Sequence, residues 1–256
     1  MQTIKPIKTI AYEKFLFFLM IGTLVNAQNY QLTYEFSNHI PVFTKTNYYT
    51  TTLKYDDQNK VALYTVYLKG TNQKGGLIDD NKIVLTTPKI DDFLVYQDMK
   101  SNKMYLQDQI DIEMMIFEEE IPQLSWQLSD EERVINDFVV KKATTSFRGR
   151  NYTAWYTLDI PITYGPWKLN GLPGAIVEVT EDKNKYAWHL KSFKKVDEEL
   201  ENPIAKTKYK KLSIKEYPQH KFVDPARIKA KLRQVNPEGT FPAYQRSDLE
   251  LKFEWE

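Results

Sequence analysis

Cysteine is absent from all 256 residues, which removes disulfide staples, thiolate metal sites and cysteine nucleophiles together. Histidine is scarce: His39, His189 and His220 are the only three, they lie far apart, and no His-Glu-x-x-His pattern joins them. Glycine numbers nine, and none of it forms a Gly-x-Ser-x-Gly elbow or a phosphate-cradling loop; a Ser-x-x-Lys motif is missing too. The acid pairs Asp56-Asp57, Asp79-Asp80 and Asp91-Asp92 fall in turn-like segments without the alternating oxygen spacing of a calcium loop. No metal and no cofactor is therefore expected. A formal net charge of +1 excludes an overall pull toward nucleic acid. No internal repeat or low-complexity linker divides the chain, so a single domain after the leader is the economical reading.

The leader itself is clear. Lys5, Lys8 and Lys14 precede a mostly apolar run from Phe15 to Val25, which Asn26-Ala27 closes. That run is shorter than the roughly 20 residues of a membrane-spanning helix, and Val25-x-Ala27 offers the small residues that a signal peptidase takes. Residues 1–27 read as a secretory signal peptide cleaved after Ala27, leaving residues 28–256 as one β-rich domain, exported to the periplasm or beyond. Gln28 stands where a lipid-anchored protein needs cysteine. Removal of the three lysines and Glu13 turns the formal charge from +1 to −1.

What the chain does have is aromatic: 17 Tyr, 13 Phe and 5 Trp, a composition that favours sheets. Tyr30, Leu32, Tyr34 and Phe36 alternate with Gln31, Thr33 and Glu35, the mark of a half-buried strand. Residues 47–55 and 61–68 make a hairpin about a polar turn, with short strands expected at 82–87, 93–97 and 103–107 and a loop at 70–80. Residues 111–120 carry both helical spacing and a terminal run of glutamates and fit neither class. A strand is expected at Leu124–Leu128 with Trp126 on the core, a turn or a single helical turn at Ser129–Glu132, then strands at 134–145, 152–158, 175–180 and 186–193 in a meander. Asp224 as N-cap, Pro225 at N1 and a shared face of Ile228, Leu232 and Val235 predict the best helix. The alternating Leu249, Leu251, Phe253 and Trp255 predict a C-terminal strand. The implied architecture is mainly β: a curved antiparallel sheet or half-barrel with one or two helices, one of them C-terminal.

The most constrained stretch is Tyr164 to Val179. Gly165, Gly171 and Gly174 open backbone conformations barred to other residues, and Pro161, Pro166 and Pro173 fix φ nearby, so one backbone path is held before the strand from Ala175. With Lys142-Ala143-Thr144, Gly149-Arg150-Asn151-Tyr152-Thr153-Ala154-Trp155-Tyr156, Ile160-Pro161, Gly165-Pro166 and Gly171-Leu172-Pro173-Gly174-Ala175-Ile176 in this order, the chain resembles the GLPGLI family. That resemblance implies an exported protein of Gram-negative bacteria without an assigned activity. Two positions depart from the family pattern: Ala175 stands where Leu is usual, and the cysteine often found near Val139-Val140 is missing. By looser analogy the strand order is like the half-barrel of periplasmic lipoprotein carriers, whose sheets wrap an apolar cavity; analogy of fold carries no function.

Candidate binding residues are Arg148 and Arg150, with Trp155, Tyr156 and Trp167 close by, because guanidinium groups among aromatics suit a recognition surface. The alternative is structural: Trp155 in the core, Arg150 neutralising a carboxylate or bonding turn carbonyls near Gly171. Gly165, Pro166, Gly171, Leu172, Pro173, Gly174 and Ile176 are read as a structural corner that sets strand register. Ten basic residues against two acidic ones between Lys206 and Arg233 suit an anionic membrane surface or a solvated face balanced by the acids before it. The function expected is non-catalytic, a cell-envelope binding or accessory protein for an apolar small molecule, a peptide or an outer-membrane protein partner. The competing class is a hydrolase on dispersed carboxylates or on His189, which sequence patterns do not reveal.

Overall fold

The computed structural model describes residues 28–40, 44–68, 92–110, 113–222, 230, 233–234, 236–240 and 246–256. The expected signal peptide, the loop expected at 70–80, the strand expected at 82–87 and nearly all of the helix expected at Asp224–Val235 lie outside the described residues.

Twelve strands form a single open, curved sheet: β1 (Asn29–Ile40), β2 (Lys45–Asp56), β3 (Val61–Val66), β4 (Phe93–Asp98), β5 (Lys103–Ile110), β6 (Glu113–Glu120), β7 (Gln127–Ile135), β8 (Phe138–Phe147), β9 (Arg150–Thr157), β10 (Ala175–Glu181), β11 (Tyr186–Val196) and β12 (Lys210–Ser213). Their order is β12-β6-β5-β4-β3-β2-β1-β11-β10-β9-β8-β7. All neighbours are antiparallel except β12, which runs parallel to β6. A short helix, α1 (Tyr217–Lys221), follows β12 through a 3-10 turn with a Ser213–Glu216 capping box. Among the described residues no helix is long and apolar enough to cross a membrane.

The alternation in β1 works as its side chains dictate: Tyr30, Leu32, Tyr34 and Phe36 are buried and their neighbours are half-buried. Tight hairpins join the meander. Arg148 and Gly149, with φ of 44° and 82°, turn β8 into β9, and Asn136 and Asp137, with φ of 49° and 66°, turn β7 into β8. Two successive positive φ values match the right-handed twist of the flanking strands. The Glu181 carboxylate accepts from the backbone N–H of Lys183 and Lys185, both at 3.1 Å, and so ties the β10–β11 turn.

Several sequence expectations are corrected. Residues 134–145 are two strands, because Asn136-Asp137 is itself a turn. Ser129–Glu132 is part of edge strand β7, whose acids are exposed and meet Lys141 and Lys142 of β8. Residues 121–126 cross from β6 to β7 without strand pairing, so the strand starts at Gln127, while Trp126 does pack on the core. Of the segment 111–120, which by pattern fits neither class, residues 113–120 form strand β6. The C-terminus is not a strand: Glu250 and Phe253 are buried there, while Leu251 is half-buried and Trp255 is exposed.

The hollow of the sheet is filled by the chain itself. Residues 158–174 fold inward from the end of β9, burying Ile160, Ile162, Trp167, Leu169 and Leu172. This plug touches strands all around the sheet: the Trp167 ring stacks on Trp188 of β11 at 6.4 Å and meets Phe147 at 5.6 Å and Tyr152 at 6.2 Å, while Tyr164 stacks on Tyr55 of β2. Across the interior, Gln97 of β4 donates to the Trp167 carbonyl. Within the plug, Gly165 N–H donates to Leu169 O, Gly171 N–H to Thr163 O and Ala175 N–H to Ile160 O.

The glycines answer to this packing. A Cβ on Gly174 would sit 1.9 Å from the Thr157 carbonyl oxygen and one on Gly165 2.7 Å from the Leu169 carbonyl oxygen, while Gly171 has φ of +92°. Trp167 itself holds φ of 58°, a left-handed conformation that a bulky side chain adopts at a cost of order 1–3 kcal/mol and keeps only where its surroundings over-determine it.

Candidate functional site

Beneath the plug lies a buried ionic cluster that closes the half-barrel. Lys168, the only charged residue between Asp159 and Glu178, reaches Glu119 at 2.5 Å and Glu250 at 2.9 Å. Arg148 binds Glu119 at 2.5 Å, donates to Glu250, and meets the more exposed Glu254 at 3.2 Å. Glu119 lies at the end of β6 near one margin of the sheet and Arg148 at the β8–β9 turn near the other. The cluster therefore clasps the two ends of the sheet, the plug and the C-terminal segment. That segment is also sewn on by its backbone, with Leu251 N–H donating to Arg148 O at 2.9 Å. Trp126 Nε1 donates to Asn170 O and Asn170 Nδ2 to Pro122 O, which ties the 121–126 crossing to the plug.

Two charges in this cluster, on Glu119 and Arg148, are held by their neighbours. Burial by itself would raise the Glu119 carboxyl, but the Lys168 and Arg148 cations overcome it and hold its pKa below the usual carboxylate range. Burial likewise opposes the Arg148 charge, and the Glu250 and Glu119 carboxylates reverse this and raise its pKa.

A second ionic group stands beside α1. Tyr217 donates to Asp108 at 2.9 Å, and Lys221 meets Asp108 at 2.6 Å and Asp248 at 3.4 Å. Burial, then the Asp108 charge, pushes the Tyr217 hydroxyl pKa well up; burial lowers that of Lys221, but Asp108 and Asp248 outweigh it and the net shift is upward.

Two concavities adjoin these clusters. An open groove of about 1070 Å³ runs past Glu118–Gln123, Arg148, Lys211–Glu216 and Trp255. An inner cavity of about 200 Å³ is walled by the rings of Phe36, Tyr49, Tyr64, Phe93, Trp167, Tyr186 and Tyr217, with Asn38, Asp108, Lys221, Asp248 and Glu250 as its polar lining. The interior is thus only partly open, since the plug takes up most of the hollow.

Of the residues singled out from the sequence, Trp167 walls the cavity and Arg148 edges the groove. Arg150 is buried, paired with Glu181 at 2.8 Å and bonded to the Asp248 carbonyl, not to any carbonyl near Gly171. Tyr156 is buried in the core, and Trp155 is half-buried under Arg133, whose guanidinium lies 4.0 Å from the ring centroid. His189 is partly exposed and faces Glu178 at 3.2 Å, which Arg133 also binds. The structure does not bring these five candidates into one site. Sequence reading missed Glu119, Lys168 and Glu250.

Fold and site together define a class: a β half-barrel whose hollow is filled by its own loop, clasped by buried ion pairs, with a small aromatic cavity left beside the loop. A family model described as a protein of unknown function, Porph_ging, matches residues 148–178, which run from Arg148 through the plug into β10. No curated protein matches the chain. Two structures of PNGF-II are similar, in space groups C2 and P21. The first has a TM-score of 0.52 and 18% identity over 76% of this chain, the second 0.51 and 19% over 76%. The likeness covers 32% and 33% of those chains, so the chain spans about a third of the length of PNGF-II. At that identity the likeness is one of fold.

Proposed function

We propose that the protein is an exported, GLPGLI-type cell-envelope protein that binds a small apolar group without transforming it. The guest would be a compact molecule or a side chain presented by a peptide or an outer-membrane protein. The observation that carries this reading is the ring-walled cavity of about 200 Å³ beside the plug. It is smaller than the roughly 300–1,000 Å³ of drug-sized sites, which favours one ring over an acyl chain.

The electrostatics favour binding over catalysis. A general acid or base works best with a pKa near the working pH, yet the shifts around the cavity move Tyr217 and Lys221 up, and in the neighbouring cluster Glu119 goes down. Each group is driven away from proton exchange at neutral pH. His189, the hydrolase alternative, has Glu178 as its partner and no hydroxyl beside it among the contacts described. The recurrence of this fold as about a third of PNGF-II agrees with a module that serves a larger assembly.

Two measurements test the reading. Protein recovered from the periplasm of an expressing Gram-negative host should begin at Gln28 by intact mass; an uncleaved chain beginning at Met1 would remove the export half. Benzyl alcohol, titrated into the mature protein, should shift the ring resonances of Phe36, Tyr186 and Trp167 with saturation. Shifts confined to the outer Trp155 would place binding elsewhere.

A further inference from the structure

We infer that the guest of the inner cavity carries a positive charge on or beside its ring, as a protonated aromatic amine or an aromatic peptide unit with a free ammonium does. The inference rests on the proposed binding role of this cavity and specifies its chemistry.

The polar lining is short of cations. Three carboxylates, Asp108, Asp248 and Glu250, face one cation, Lys221. Glu250 is already matched, since its Oε1 takes both Lys168 and Arg148. Asp108 Oδ2 takes both Tyr217 and Lys221. Asp248 is left with the longer contact to Lys221, 3.4 Å, and a bond from the Leu249 N–H to its other oxygen. Lys221 serves two aspartates, so among the described lining residues the carboxylates outnumber the cations on the cavity side of the network, with Lys185 outside the lining as the further cation that acts on Asp248. The Asn38 side chain adds an acceptor there, because its buried Oδ1 has no partner among the described residues.

The walls point the same way. Aromatic faces are electron-rich, and a cation over them is attracted, by more when water is displaced. Phe36 already stacks on Tyr49 at 5.9 Å and Tyr186 at 6.0 Å, so its ring belongs to an extended aromatic surface. A ring guest fits the volume, and its ammonium finds Asp248 and Asn38 as acceptors. A carboxylate guest would meet three acids instead.

The test compares three probes of nearly one size, benzylamine, benzyl alcohol and benzoate, against the full mature protein by the same resonance titration. Benzylamine should bind about tenfold more tightly than benzyl alcohol, on the order of 1.4 kcal/mol, and benzoate most weakly. Asp248→Asn should bring the amine-to-alcohol ratio toward one. Lys221→Gln should raise the ratio, a change in the opposite direction that loss of folding cannot mimic. Benzyl alcohol or benzoate binding as tightly as the amine would overturn the charge inference and leave the cavity reading intact. No cavity shift with any of the three would overturn both.

Discussion

Glu119→Gln will lower the unfolding free energy by about 3–5 kcal/mol, the range for breaking a buried ion pair from one side. The side chains of Glu119, Lys168 and Arg148 are 4%, 0% and 3% exposed. Removing the Glu119 charge leaves two buried cations on Glu250, with the third acid, Glu254, 58% exposed. The loss is large because water cannot reach the stranded charges, not because the pairs are strong in themselves. Lys168→Met on the Glu119→Gln background should recover part of the loss, which a double-mutant cycle reads as coupling. Lys206→Ala is the control: its pair with Glu201 is mostly exposed, and loss of such a solvent-screened pair should leave the urea midpoint nearly unchanged. Urea midpoints at constant m-value check all three. The pH dependence has a fixed sign. Because the folded Glu119 pKa lies below its ordinary value, its contribution is full above the ordinary carboxylate pKa and is lost as pH falls through the folded one. The wild type should lose stability in acid more steeply than Glu119→Gln. Equal acid limbs would count against the clasp.

Gly174→Ala is the other severe change. The added carbon would lie 1.9 Å from the Thr157 carbonyl oxygen and 2.8 Å from its carbonyl carbon, and because these are backbone atoms no side-chain rotation relieves the overlap. The plug's exit would have to lift off β9, breaking the Ala175 N–H to Ile160 O bond beside it. The expected cost is about 3 kcal/mol, the upper end for overpacking, or a melting point lower by roughly 6–12 °C for a domain of this size. Gly171→Ala has open space, its nearest neighbour being Trp126 at 3.8 Å, so only its positive φ is penalised, by about 1–2 kcal/mol. Thermal unfolding of the two variants ranks them, and the account fails if Gly171→Ala proves the more damaging.

Much of the sheet was legible because its strands are local. β1 announces itself by perfect alternation, and the β2–β3 hairpin by its polar turn. Where reading failed, a local signal was weak or had a rival. The Asn136-Asp137 turn is masked in the sequence because Val134, Ile135, Phe138 and Val139 flank it with apolar residues. Ser129–Glu132 looked like a turn because an edge strand with one free side tolerates polar residues at nearly every position. The C-terminal alternation was real, but its register is set by Glu250 going inward to Lys168 and Arg148, which overrides the hydrophobic pattern. The glycines of the 164–179 stretch, expected to form a corner that sets strand register, stand in the frame of an interior plug.

The site was much less legible. Glu119 and Glu250 are 131 positions apart and carry no shared motif, so only the folded chain joins them. One sign was available: Lys168 is alone among apolar and glycine-rich neighbours, and a lysine placed there has to find acids elsewhere. Arg150 was correctly suspected of neutralising a carboxylate, and Glu181 is that partner.

Native-state hydrogen exchange at the plug amides tests the central claim, that residues 158–174 fill the half-barrel as part of its core. Gly165 and Gly171 donate inside the plug and Ala175, at the start of β10, donates back into it, and the exchange of these amides should be as slow as that of Leu32 and Leu53 in the central strands, reporting global unfolding. Exchange of these three amides at the pace of a surface loop, with β1 and β2 still protected, would show that the plug opens by itself and would contradict the account.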